Sequence, residues 1–197
     1  MTEGRICAVP YDESMPVWIS WDIGLKDSTA LWFFQVGTGG RPYFIDYYEC
    51  QGEQLKHYAD LIKSKPYTYD DDLILPHDAG HERLGMESVA KQLQALGFGT
   101  RVLPVERSVQ PGIEACRVAI NKAHFDEEKT RRGRAALNAY QREYNERLQV
   151  FKPGPLHNWA SDGADSFRYA VRAINLGFCN ANKWAEVDYS ALNRAAI

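Results

Sequence analysis

An α/β layer fold is what this sequence predicts, and three observations predict it. Three apolar, aromatic-rich segments follow one another through short loops near the front of the chain. A strand–helix–strand stretch comes next, and most of the remainder is helical by periodicity. Consecutive strands joined by short loops pair antiparallel, whereas a helical crossover makes its two strands parallel neighbours. The sum is a mixed sheet with an antiparallel meander, parallel strands and flanking helices.

Each element has a local reason. Residues 1–16 read as an extended lead-in broken by Pro10 and Pro16, either a natural leader or the remnant of a linker from an upstream domain. Val17–Ile23 is rich in Val, Ile and Trp and is expected as the first strand, stopped by Gly24. Thr29–Val36 is the second. The GTGGRP turn, with Gly37, Gly39 and Gly40, leads into a third over Tyr43–Cys50. Gln54–Ser64 places Leu55, Tyr58, Ala59 and Ile62 on one helical face. Leu73–Pro76 forms a compact fourth strand, Met86–Leu96 a helix capped by Gly97, and Thr100–Val105 a fifth strand. Helices are expected over Ile113–His124, over a heavily charged stretch from Thr130 to Arg147, and over Ser161–Leu176. One domain thus spans residues 17–176, and 177–197 read as a loosely packed tail.

At 197 residues and a formal charge of -3, the chain is sized for one domain and lacks the overall basicity of a nucleic-acid coat. A local basic surface remains compatible with that charge. Cys7, Cys50, Cys116 and Cys179 are widely spaced, which excludes a Cys/His zinc signature and reads as reduced thiols. The first residues lack a signal-peptide pattern, and no apolar run approaches the roughly 20 residues of a membrane span. A soluble cytoplasmic protein is the expectation.

Three aspartates carry the chemistry. Asp22 ends the apolar run VWISWDIG, on the same strand face as Trp18 and Ser20. Asp78 follows LILP, at the carboxyl end of a strand, where open parallel sheets bind ligands. Asp165 lies in the first turns of the last helix, beside the apolar residues Ala164, Phe167, Ala170, Val171 and Ile174. With Ser161 as cap, Asp162 sits one turn before Asp165 on the same face. Taken singly, Asp22 and Asp78 are more often turn residues, and Asp162 more often supports the helix dipole. Together, carboxylates that converge without matching bases require a cation. The reading is two Mg2+ or Mn2+ ions, Asp22 shared, Asp78 on one ion, Asp165 on the other and Asp162 as an added ligand or base. Asp27 receives a weak vote. His77 and His81 are candidates to orient water or touch phosphate, though loop histidines are more often plain surface groups, and His157 and Asn158 are placed to brace the last helix.

Lys129, Arg131, Arg132 and Arg134 form a basic cluster that Arg117, Lys122, Arg142 and Arg147 extend, with Arg107 and Lys152 in loops. Such groups hold phosphates without reading bases. Glu127, Glu128, Glu143 and Glu146 are interleaved, so a solvated helix laced with ion pairs is equally compatible. No GKS or GKT occurs, and no ATP hydrolysis is expected from this chain.

With those residues assembled, the chain resembles the nuclease domain of a tailed-phage terminase large subunit. The resemblance rests on WDIGLKDSTA, LILPHDAG, ACRVAINKAHFDEEKTRRGRAALNAYQREYNE and HNWASDGADSFRYAV, in order, over roughly residues 17–174. It implies a ribonuclease-H-like fold, two-metal cleavage of double-stranded DNA at Asp22, Asp78 and Asp165, and a role in viral genome packaging in the host-cell cytoplasm. It also implies partners: an N-terminal ATPase domain in the full-length protein, the portal and a terminase small subunit. Two departures stand out. The family's HDW is His157-Asn158-Trp159 here, and Asp162 stands where the family often has His. The alternatives are another ribonuclease-H-like nuclease (resolvase, integrase or hybrid nuclease) and a weakly catalytic DNA-binding and portal-docking module.

Overall fold

The computed structural model describes residues 4–24, 28–82 and 85–179. Its elements run β1 (Ile6–Cys7), β2 (Trp18–Asp22), β3 (Ser28–Gly37), β4 (Arg41–Gln51), α1 (Leu55–Ser64), β5 (Asp72–Leu75), α2 (Val89–Ala95), β6 (Gly99–Val102), α3 (Gln110–Ile120), β7 (His124–Asp126), α4 (Arg131–Ala139), β8 (Arg142–Asn145), β9 (Val150–Pro155) and α5 (Ser161–Asn175). Seven strands form one sheet in the order β1-β7-β4-β3-β2-β5-β6, and β8 pairs with β9 apart from it. The expected meander is present: β2 pairs antiparallel with β3, and β3 with β4. The parallel side is present too, β5 lying between β2 and β6.

Alternation along the central strands feeds two cores. Trp18, Trp32, Phe34 and Phe44 pack with Phe125, Phe167 and Ala170 on one face, which α5 covers with α3 against it. Val17, Ile19, Trp21, Leu31 and Phe33 face the other side with Tyr58 and Ile62 of α1 and Leu93 of α2. A strand buried on both faces reads as a continuous apolar run, and WISW and ALWFF are such runs. Trp32 is the hub of the α5 side, its ring 5.7 Å from Phe167 and 4.7 Å from Tyr47.

Four expectations are corrected. The lead-in is partly built into the sheet: β1 pairs parallel with β7, and Val9 is buried with its N–H donating to Asp126 Oδ2 at 3.0 Å. The helix drawn to His124 ends at Ile120, and His124–Asp126 becomes β7, parallel to β4. The helix expected from Thr130 to Arg147 ends at Ala139, because Tyr140 turns extended at ψ 118°. A β8–β9 hairpin then replaces its second half, with Tyr144 and Phe151 in edge contact at 5.0 Å. The helix expected from Met86 starts at Val89, where the Ser88 hydroxyl accepts from Lys91 N–H at 3.3 Å. Gly97 closes that helix at φ +92°, a conformation glycine adopts without strain. Asp27 and most of the 177–197 tail lie outside the described residues. No described helix is long and apolar enough to cross a membrane.

Candidate metal centre

Asp22 is the last residue of β2, and β2 runs parallel to β5 with Ser20 opposite Ile74. That register sets Asp22 level with Pro76, just ahead of a 3-10 turn over His77–Gly80 that carries Asp78. Two carboxylates therefore share the carboxyl ends of adjacent parallel strands. Helix α5 brings the others. Ser166 donates its hydroxyl to the Ser20 carbonyl at 2.9 Å, and the Trp32 indole N–H donates to the Gly163 carbonyl at 2.8 Å. Gly163 makes this approach possible: a Cβ there would lie 2.6 Å from Tyr47 Oη. The helix is thereby fixed across β2 and β3, with Asp162 and Asp165 one turn apart at its amino end.

The capping of α5 differs from expectation. Ser161 is the first helical residue rather than the cap. Asn158 supplies the turn: its Oδ1 accepts from Ala160 N–H at 2.9 Å, and its own N–H donates to Ser161 Oγ at 2.9 Å. Asn158 thus braces the start of the helix, as its position suggested.

Three of the carboxylates act on the fourth, Asp22. Burial and then the charges of Asp165, Asp162 and Asp78 push the Asp22 carboxyl well above the usual carboxylate range, against a smaller opposing pull from Arg168. Burial first, and then the negative charges of Asp22, Asp165 and Asp78, likewise raise the Tyr169 hydroxyl. Asp22, Asp78, His77, His81 and Tyr169 line one cleft of about 700 Å³, in which the two imidazole rings stand 6.0 Å apart. Asp165 is held from behind. Its Oδ1 accepts from Arg168 Nε at 3.1 Å and from Tyr140 Oη at 3.4 Å. Arg168 in turn pairs with Glu106 at 2.6 Å.

Among the described residues, no three His, Cys, Asp or Glu side chains are drawn together tightly enough to form a ready ligand set. The donor set nonetheless fits a hard divalent cation. It is all carboxylate oxygen, it carries more negative charge than Arg168 balances, and two of its members, Asp22 and Asp78, line a partly sheltered cleft. Arg168, Glu106, Tyr140 and Tyr169 were not anticipated as members of the site. Only the Asp165–Arg168 spacing of three, an ion pair along a helix, could have flagged one of them.

The basic cluster is dispersed among local partners. Arg131 pairs with Glu128 and Lys152 with Glu143. Arg132 pairs with Glu49 at 2.5 Å and stacks 4.1 Å over the Trp159 ring. Arg134 donates to the Glu127 carbonyl at 2.6 Å, and Lys129 stands 6.0 Å over Tyr67. Most of these are exposed pairs, which exchange readily for other anions.

No protein-family model matches the chain, and no curated protein does. Solved structures do. The nuclease domain of the phage P22 large terminase matches with a TM-score of 0.65 at 17% identity, over 89% of this chain and 90% of that one. The fold is the ribonuclease-H-like fold of phage large-terminase nucleases. A large terminase from a thermophilic bacteriophage matches with a TM-score of 0.63 at 18% identity, over 86% of this chain. The chain spans 42% of that longer protein. The large-terminase nuclease of the thermophilic phage G20c, solved with bound cobalt, matches with a TM-score of 0.55 at 16% identity, over 84% of this chain and 93% of that one.

Proposed function

We propose that this chain is a divalent-metal-dependent endonuclease that cuts double-stranded DNA during viral genome packaging. The observation that carries the reading is that α5, tied to β2 by the Ser166–Ser20 hydrogen bond, brings Asp162 and Asp165 within electrostatic reach of Asp22, which shares the carboxyl ends of β2 and β5 with Asp78. Against an anionic polymer, such a cluster serves no purpose without cations. The fold shared with nucleases, one of them solved with bound cobalt, supports it.

Two Mg2+ or Mn2+ ions are the proposed cofactors. Asp22, rigidly mounted on the strand, would be common to both, with Asp78 on one side and Asp165, supported by Asp162, on the other. When bound, such ions acidify a water and stabilise the leaving oxygen of a phosphodiester. The protein's own contribution is orientation. The sheet fixes Asp22, the α5–β2 hydrogen bond fixes the helix that carries Asp162 and Asp165, and His77 and His81 border the cleft where a phosphate would lie. Lys129, Arg131, Arg132, Arg134 and Lys152 are proposed to hold the DNA backbone. In a longer protein, an N-terminal ATPase domain, the portal and a small subunit are the proposed partners, in the host-cell cytoplasm. The first 16 residues are proposed to include the join to such a domain.

The test is cleavage of supercoiled plasmid with Mg2+, Mn2+, Ca2+ or chelator, comparing the parent chain with D22N, D78N and D165N. Cutting with Mg2+ or Mn2+ is expected, with losses of about a hundred-fold or more in each variant. Robust cutting in chelator would reject the mechanism. Preference for an RNA–DNA hybrid or a four-way junction would move the assignment to another ribonuclease-H-like nuclease, and duplex binding without cutting to a docking module.

A further inference from the structure

Arg168 is a cation in an unusual place. It lies in the middle of α5 with only 7% of its side chain exposed, between two carboxylates. Nη1 meets Glu106 Oε2 at 2.6 Å, while Nε and Nη2 both reach the same oxygen of Asp165, Oδ1, at 3.1 Å. Tyr140 adds a third donor to that oxygen, and no described hydrogen bond goes to Oδ2. The guanidinium also lies 4.7 Å over the Tyr169 ring.

The surroundings are shaped for this side chain. Gly112 of α3 faces the Arg168 stem so closely that a Cβ there would lie 2.9 Å from Cδ and 3.1 Å from Glu106 Oε1. Arg172, one turn on, also approaches Glu106 at 3.6 Å and donates to the Pro104 carbonyl at 2.8 Å. Glu106 is thus held by two arginines. A planar fork gripping one oxygen, anchored on a carboxylate that is itself held, fixes orientation in a way that a single ammonium cannot.

We propose that Arg168 is the positioning residue for Asp165, clamping Oδ1 against Glu106 so that Oδ2 is the oxygen offered to a cation shared with Asp22. This rests on the nuclease reading above and deepens it. Arg168 touches neither substrate nor cation. It acts through Asp165, as an outer partner orients a ligand. Glu106 is the anchor, and Gly112 is the space that admits the clamp.

Mn2+ binding tests this, read as the rise in unfolding temperature with added Mn2+ and as calorimetric heat, beside cleavage. R168K keeps the charge and loses the two-point grip. It is expected to bind Mn2+ about ten-fold more weakly and to lose kcat about ten-fold at an unchanged KM for DNA. The double variant R168Q/E106Q removes both charges of that pair at once, while Arg172 keeps the Pro104 carbonyl and Asp165 keeps Tyr140, and it guards against a simple failure to fold. It is expected to unfold cooperatively, closer to the parent chain than R168Q alone, with the same weakened Mn2+ response. Parent-like Mn2+ binding in both variants would overturn the role while leaving the nuclease reading intact. A parent chain that takes up no Mn2+ at all would overturn both together.

Discussion

Ser166 donates its hydroxyl to the main-chain carbonyl of Ser20 at 2.9 Å, with both side chains fully buried. This bond joins the helix residue next to Asp165 to the strand residue two before Asp22. Two acids 143 positions apart in the numbering are thereby set by a linkage one residue from one and two from the other. Replacing Ser166 with Ala removes the donor and leaves α5 tied to the sheet by packing and by the Trp32–Gly163 hydrogen bond. The expected cost is about 1 kcal/mol in urea unfolding. Metal-dependent cleavage should fall more than that cost would suggest. Unchanged cleavage in S166A would show that the register of α5 is set without this bond, by packing and the Trp32–Gly163 contact.

Asp22 links pH to stability. Its folded carboxyl is raised above its unfolded value by burial and by Asp165, Asp162 and Asp78, so the folded protein holds a proton over a range where the unfolded chain has released it. The part of the stability that comes from Asp22 is therefore fully present below the ordinary carboxylate range and is lost as pH rises through the raised folded value. D22N removes the charge and this loss. In chelator at neutral pH, D22N should melt at a higher temperature than the parent chain while cutting no DNA. A lower melting temperature would mean that the Asp22 charge is already balanced.

Divalent ions should reverse the same penalty. Mn2+ is expected to raise the unfolding temperature of the parent chain, through preferential binding to the folded state. The rise should be absent in D22N and reduced in D78N and D165N. Equal shifts in all four proteins would place the ions elsewhere.

Gly133 and Gly154 offer a matched pair. A Cβ on Gly133 would lie 2.5 Å from Trp32 Cζ2 and 2.7 Å from Tyr47 Cδ2, at the point where α4 rests on the sheet. G133A should cost about 1–3 kcal/mol through overpacking. Gly154, in β9, has nothing within 4 Å of that point, so G154A should be close to neutral. Chemical denaturation of the two variants side by side decides this.

Arg131 and Arg134 separate phosphate holding from local pairing. If both neutralise DNA phosphates, the R131A/R134A variant should bind duplex DNA more weakly, and its slope of log affinity on log salt should flatten by about 0.9 for each phosphate no longer neutralised. An unchanged slope would assign both arginines to the intramolecular pairings seen here, with Glu128 and with the Glu127 carbonyl.

The central sheet was legible because its signals are local. WISWD, STALWFFQV and YFIDYYEC are long apolar runs separated by turn residues, and the strand ends place Asp22 and Asp78 without further help. What was not legible depends on distant partners. His124–Asp126 is only three residues long, and nothing in HFD separates it from the end of a helix; it is a strand because β4 and β1 flank it. The charged stretch after Thr130 has helical composition throughout. It breaks at Tyr140, whose hydroxyl reaches Asp165, and the aromatic pair Tyr144–Phe151 then favours a hairpin. Arg168 was hidden for the same reason: its anchor, Glu106, is 62 residues away.

The short β1 strand has a mechanical consequence. It is zipped to β7 at one rim of the sheet, where Phe125 N–H donates to the Arg5 carbonyl at 2.8 Å and Glu127 N–H to the Cys7 carbonyl at 2.9 Å. Strands β7, β4 and β3 lie between that rim and β2. A tug on the polypeptide ahead of Arg5 would strain these outermost links first. Asp22 and Asp78 stand beyond those three strands, so a pull at the rim is expected to reach β1 and β7 before it reaches the proposed metal site.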